Sequence, residues 1–213
     1  MKKIMFNDRY GLTEAVLSGR KTVTRRLIPQ STLKKVDDFM VDYHNQTLDS
    51  LTEIEVLNQY FFVEEIGKLP YKVGEVVAIA QAYSAAGFGD TAPIIGIDEN
   101  DMPIIASDAG IYNKMFVRAN LMPHQIRITN VRVERLQDIS DEDCIKEGIE
   151  IVLKAGDYIG YGVSGLMRHY RDFGPMVFDT PREAYAALID RISGKGTWES
   201  NPYVFVYEFE LLK

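Results

Sequence analysis

The sequence predicts an α+β fold, a mixed sheet or small barrel flanked by short helices. Three observations carry that prediction. Strand-like apolar runs stand near both ends and in the middle of the chain, two helices announce their starts with capping residues, and the composition is that of an ordinary folded protein. Of 213 residues, 46% are hydrophobic and 26% charged, which excludes disorder, collagen-like sequence and coiled coil. No apolar run approaches the roughly 18 residues of a membrane span. The single cysteine, Cys144, permits no internal disulfide and no cysteine-based zinc site. With Asn7 and Asp8 interrupting the N-terminus before a signal-peptide core forms, a reducing, cytoplasmic location is expected.

The elements follow in order. Residues 4–6 read as a short strand, and a helix over 11–18 places Leu12, Ala15 and Val16 at helical spacing before Gly19 as its stop. Val73-Gly74-Glu75 turns into a buried strand over 76–80. Residues 126–133 alternate apolar and polar with period two, apart from a slip near Asn130, as a half-exposed strand does. Ser140-Asp141-Glu142-Asp143 opens a helix that stops at Gly148. Thr180-Pro181-Arg182-Glu183 opens another, with Gly194 as its stop and Tyr185, Leu188, Ile189 and Ile192 as a core stripe. Tyr203 to Leu211 forms an aromatic-rich final strand. No repeat or Pro/Ser-rich linker divides the chain, so one domain over 1–213 is expected, with unpatterned insertions at about 29–71, 84–113 and 149–178.

The net charge of −7 hides an asymmetry. Ala15 to Val36 holds six basic residues and no acid, whereas Asp37 to Gly67 holds eight acids and no Lys or Arg. Fields decay over about 10 Å at moderate salt, so the total excludes a broad sticky basic surface and still permits a small basic pocket. The densest signal is Gly19-Arg20-Lys21-Thr22-Val23-Thr24-Arg25-Arg26. Arg20 and Lys21 there suit the negative end of the preceding helix, with the rest as solvated surface. Alternatively Lys21, Thr24 and Arg26 line one pocket, with Thr22, Thr24 and Arg26 on one face of an extended segment.

This motif resembles the signature of the ASCH domain family, a branch of the PUA-like β-barrels. The resemblance extends to Val73-Gly74-Glu75-Val76-Val77, to Met122-Pro123, to Val131 through Leu136, to the helix ending in Glu147-Gly148, and to Trp198 through Val204. It covers about 1–28, 72–83, 114–148 and 180–213, in the manner of the larger phage- and prophage-encoded members. It implies a small mixed barrel enlarged by the three insertions. It also implies recognition of RNA, a modified nucleoside or a short single-stranded nucleic acid through a basic cleft, with no cofactor and no membrane. Arg20, Thr22, Arg25, Arg26 and Trp198 would then contact the ligand. Small members that hydrolyse N4-acetylcytidine use a Lys, a Thr and a Glu at the positions of Lys21, Thr24 and Glu147. In that scheme Thr24 attacks, Lys21 takes its proton and Glu147 passes one to the departing amine. A third implied class is a phage-derived protein-interaction factor whose insertions carry the interface.

Glu147 also stands out on physical grounds. A carboxylate in the last helical turn faces the negative end of the dipole and calls for a cation such as Lys21 or Arg26. Trp198 has two roles open, plugging the end of the barrel or stacking on a base. Gly160 to Gly165 spells G-x-G-x-x-G without a βαβ unit, so a loop is expected there. His44, His124 and His169 are too scattered for a metal, Ser164 and His169 have no triad context, and Cys144 reads as core.

Overall fold

The computed structural model describes residues 1–44, 52–63, 68–163 and 177–212, without the side chains of 40–44. The sheet order in the main layer is β1-β3-β6-β9-β2. These strands are β1 (Lys2–Ile4), β2 (Val23–Leu27), β3 (Val76–Ile79), β6 (Gln125–Arg135) and β9 (Tyr203–Leu212). β1 runs parallel to β3 and the other neighbours pair antiparallel, so the sheet is mixed. The fold is therefore α+β, as the sequence predicts. It departs from a closed barrel, because no pairing joins β1 to β2 among the described residues.

The long central strands explain why the sequence pattern is legible. β9 is buried on both faces, with Val204 and Val206 on one and Phe205 and Tyr207 on the other, so it reads as a continuous apolar run. β6 has one exposed face and alternates. Its slip near Asn130 is a register shift against β9 between Ile128 and Asn130, where an extra residue is accommodated as a bulge.

Six helices pack around the sheet among the described residues: α1 (Leu12–Leu17), α2 (Gln30–His44), α3 (Glu53–Asn58), α4 (Asp141–Lys146), α5 (Pro181–Ser193) and α6 (Thr197–Ser200). Thr180 and Glu183 form the full reciprocal capping box of α5, with proline in the first turn. Ser140 caps α4 through the Asp143 amide alone, since an aspartate is one methylene shorter than the glutamate of a complete box. The segment around Trp198 is a helical turn rather than a loop.

The insertions hold more order than their sequence shows. The first contains α2 and α3, and Phe61 just beyond α3 packs edge-on to Phe205 at 4.9 Å. The second contains the hairpin β4 (Ile94–Ile97) and β5 (Pro103–Ile105), and the third the hairpin β7 (Glu150–Ala155) and β8 (Tyr158–Gly162). The first half of the glycine-rich string thus lies in β8; Ser164, Gly165 and His169 lie outside the described residues. No helix among the described residues is long and apolar enough to cross a membrane.

Cys144 is fully buried in α4, and burial pushes its thiol up to about 12. The folded protein is therefore expected to resist alkylation by iodoacetamide at neutral pH and to react fully once unfolded in urea, as mass spectrometry of the two samples would show.

Candidate functional site

The motif segment is stitched in place before any side chain acts. The Lys21 amide donates to the Ala15 carbonyl at 2.9 Å, folding the chain back on α1. The Thr22 amide donates to the Lys146 carbonyl at 2.9 Å, and the Phe209 amide donates to the Thr22 carbonyl at 2.9 Å. Residues 21–22 are thereby tied to the ends of α1 and α4 and to β9. Gly148 completes the junction. Its φ of +106° suits glycine, and a Cβ there would sit 3.2 Å from Leu12 Cδ2 and 3.7 Å from Lys21 Cδ.

This junction brings Glu147 onto Lys21, 126 residues away in the chain. Lys21 is 1% exposed, and its ammonium donates to the Val23 carbonyl at 2.7 Å, to the Glu147 carbonyl at 2.8 Å and to Glu147 Oε2. All three ammonium protons are held. Burial lowers the Lys21 pKa, and the adjacent Glu147 carboxylate opposes that shift without cancelling it. The cation that a carboxylate at a helix C-terminus calls for is thus Lys21.

Behind the pair lies a second layer of charge. The Arg25 side chain is fully buried and donates to Glu134 at 2.7 Å, to Asp143 at 2.8 Å and to Glu147 Oε1 at 3.3 Å. Burial acts to lower its pKa, but Glu147, Asp143 and Glu134 win and raise it. Arg132 joins the network through Asp143 at 2.7 Å and Glu134 at 3.1 Å. Burial alone would raise Asp143, yet the hydrogen bond and charge of Arg25, then Arg132 and Lys146, hold it below the usual carboxylate value.

Lys21, Thr24, Arg25, Arg26 and Glu147 all line one cavity of about 660 Å³. The cavity opens between the two sheet edges, with Met5 and Phe6 beyond β1 on one side and Thr24 to Leu27 of β2 on the other. Arg26 bridges that gap by donating to the Met5 carbonyl at 2.6 Å, and its guanidinium lies 5.7 Å from the Phe6 ring centre. Arg26 Nε is buried without a hydrogen-bond partner among the described residues. Thr24 is 5% exposed, and its hydroxyl makes no hydrogen bond among the described residues. An apolar wall comes from Tyr185, Leu188, Ile189 and Ile192 of α5.

The remaining candidates take other roles. Arg20 is paired with Glu150 at 2.9 Å on the outer surface, away from the cavity lining. Thr22 precedes β2 and serves the fold through its backbone. Arg25 reaches the cavity wall with every guanidinium nitrogen committed inside the protein. Trp198 does not line the cavity; it packs edge-on to Tyr185 at 6.2 Å and under Arg182 at 5.2 Å. Sequence reasoning missed Phe6 and Lys114, which line the cavity with no motif to mark them, and took the α5 stripe for core alone. No group of metal-ligating side chains occurs among the described residues.

No protein-family model matches the sequence, and no curated protein matches it. Among solved structures the chain matches a protein of Enterococcus faecalis V583 described under the family model DUF984, at 15% identity over 100% of this chain and 77% of that one, with a TM-score of 0.35. It also matches an ASCH domain from Lactobacillus crispatus JV V101, at 11% identity over 97% and 75% of the two chains, with a TM-score of 0.32. Likeness at this level assigns no role to any residue here.

Two outcomes test the geometry. Lys21→Met leaves Glu147 buried without its partner and is expected to cost about 3–5 kcal/mol in urea denaturation. Thr24→Val removes only an unbonded hydroxyl, so its loss is expected to stay below about 1.5 kcal/mol. The second outcome concerns acid. Asp143 binds its proton more weakly folded than unfolded, so its contribution is full above the unfolded value of 3.8 and is lost as pH falls through the folded value. Asp143→Asn should therefore flatten the fall in stability between about pH 4 and pH 2, measured by urea midpoints across that range.

Proposed function

We propose that the cleft binds a single nucleobase or nucleoside, free or presented by single-stranded RNA. One observation carries this proposal. In a chain of net charge −7, the cavity is lined by five basic side chains, and one of them, Arg26, has no carboxylate partner among the described residues and keeps a buried Nε without a hydrogen bond there. Its volume lies within the range of small-molecule sites. The polar groups complement a base edge: Arg26 suits a ring nitrogen or carbonyl oxygen, and Glu147 suits an exocyclic amine. Phe6 and Tyr185 supply aromatic surface beside them. A cavity of this size favours one base over the many phosphate contacts of a duplex. Calorimetric titration with cytidine, N4-acetylcytidine, uridine, adenosine and short single-stranded RNA is the test. Binding of at least one, weakened about tenfold or more by Arg26→Met, is expected, since a hydrogen bond to a charged group contributes about 1.5–3 kcal/mol. No binding to any of them contradicts the proposal.

A second reading, amide hydrolysis of an N4-acylated cytidine, is favoured by the unbonded Thr24 hydroxyl in the same cavity as a buried lysine of lowered pKa. Starting from the neutral amine that burial favours, Lys21 would take the hydroxyl proton as Thr24 attacks the acyl carbon, and Glu147 would pass that proton to the departing amine. Arg26 would polarise the acyl oxygen, and water would release the acyl group from Thr24. Incubation with N4-acetylcytidine should then yield cytidine by chromatography, and Thr24→Val should abolish it with the fold intact. Absence of product at high protein concentration leaves Lys21, Thr24 and Glu147 as binding residues.

A further inference from the structure

The Glu147 carboxylate is gripped from two sides. Lys21 takes Oε2 and the backbone carbonyl, and Arg25 takes Oε1 at 3.3 Å. Arg25 is itself held: Glu134 from β6 accepts at 2.7 Å and Asp143 from α4 accepts at 2.8 Å. Two strands and one helix thus converge on one guanidinium. A planar fork with five donors can serve three carboxylates at fixed angles, which a lysine at position 25 could not do.

Resting on the reading of the cleft as a ligand site, we infer that Arg25 is a positioning residue: it fixes the carboxylate plane of Glu147, so that Glu147, with Lys21 locked behind it, presents one fixed set of acceptors to whatever occupies the cleft. Arg25 turns each of its three guanidinium nitrogens to Glu134, Glu147 or Asp143, and is therefore assigned no hydrogen bond to the ligand. Of its three carboxylate acceptors only Glu147 lines the cavity. The backbone that carries Glu147 is fixed separately, by the Glu147 amide donating to the Asp143 carbonyl at 2.8 Å and by the tight packing at Gly148. Loss of Arg25 therefore frees the carboxylate without moving the helix end.

The test uses the full chain labelled with ¹⁵N, with Arg25→Gln and Asp143→Asn variants. The first readout needs no ligand: the ammonium ¹H–¹⁵N signal of Lys21, assigned by its absence in Lys21→Arg. An ammonium shows that signal only while its protons are held by fixed acceptors and shielded from exchange. The second readout is cytidine affinity by calorimetry. The expected result is a visible Lys21 signal in the unmodified protein and its loss in Arg25→Gln, with backbone amide signals still dispersed and cytidine affinity reduced about tenfold or more. Asp143→Asn, which withdraws one of Arg25's three anchors, should weaken both readouts in part. A persistent signal with unchanged affinity in folded Arg25→Gln overturns the inference. If that variant does not fold, unchanged readouts in Asp143→Asn overturn it instead. Should the unmodified protein bind no cytidine while the ammonium signal still depends on Arg25, the ligand assignment fails and the positioning role stands.

Discussion

The site depends on one interaction, the ion pair between Lys21 and Glu147 inside the protein. Removing both charges from water costs several kcal/mol each, and a bare pair seldom recovers it. Here additional hydrogen bonds offset the cost. Lys21 places its remaining protons on two carbonyls, and the second carboxylate oxygen of Glu147 meets Arg25. The pair exists only because backbone bonds among residues 15, 22, 146 and 209 bring its two halves to one junction. Gly148 is favoured there by its backbone angle and by Leu12 Cδ2, which would stand 3.2 Å from any Cβ at that position.

The topology sets where that pair can act. A sheet closed into a barrel would have filled its interior with side chains. The observed sheet leaves β1 and β2 unpaired with each other, and the cavity occupies the opening between them. Arg26 spans the opening with a single side-chain hydrogen bond to Met5. Edge strands carry free backbone groups that invite other partners. Here that exposed edge forms one wall of the candidate site.

Much of the scaffold was legible because its signals are local. The period-two run of β6, the proline and glutamate of the α5 cap, and the glycine stops at 19, 148 and 194 each report a nearest-neighbour requirement. The insertions were not legible for the complementary reason. α2 keeps much of its surface exposed and opens without an acidic first turn, and the two hairpins expose isoleucines on strands of three to six residues. Their order comes from tertiary contacts such as Phe61 on Phe205. In the site, Lys21, Thr24, Arg26 and Glu147 were found by motif and by helix electrostatics. Arg25 was read as a ligand contact, since nothing adjacent in sequence reveals Glu134 and Asp143 closing over it. Trp198 carried two readings, a plug at the end of the barrel and a stacking platform; it packs against Tyr185 and Arg182, off the cavity lining.

Total charge would have pointed away from nucleic acid components altogether. Three of the five cations lining the cavity, Lys21, Arg25 and Lys114, are paired with carboxylates, whereas Arg26 has none among the described residues, and low-dielectric walls make that one charge count for more than the remote acids. The most direct measurement is a crystal structure of the protein soaked with cytidine at high concentration. The account predicts the base between Phe6 and the α5 wall, with one edge on Arg26 and its amine toward Glu147. Cytidine bound only elsewhere on the surface, with the cavity between β1 and β2 containing solvent alone, would contradict it.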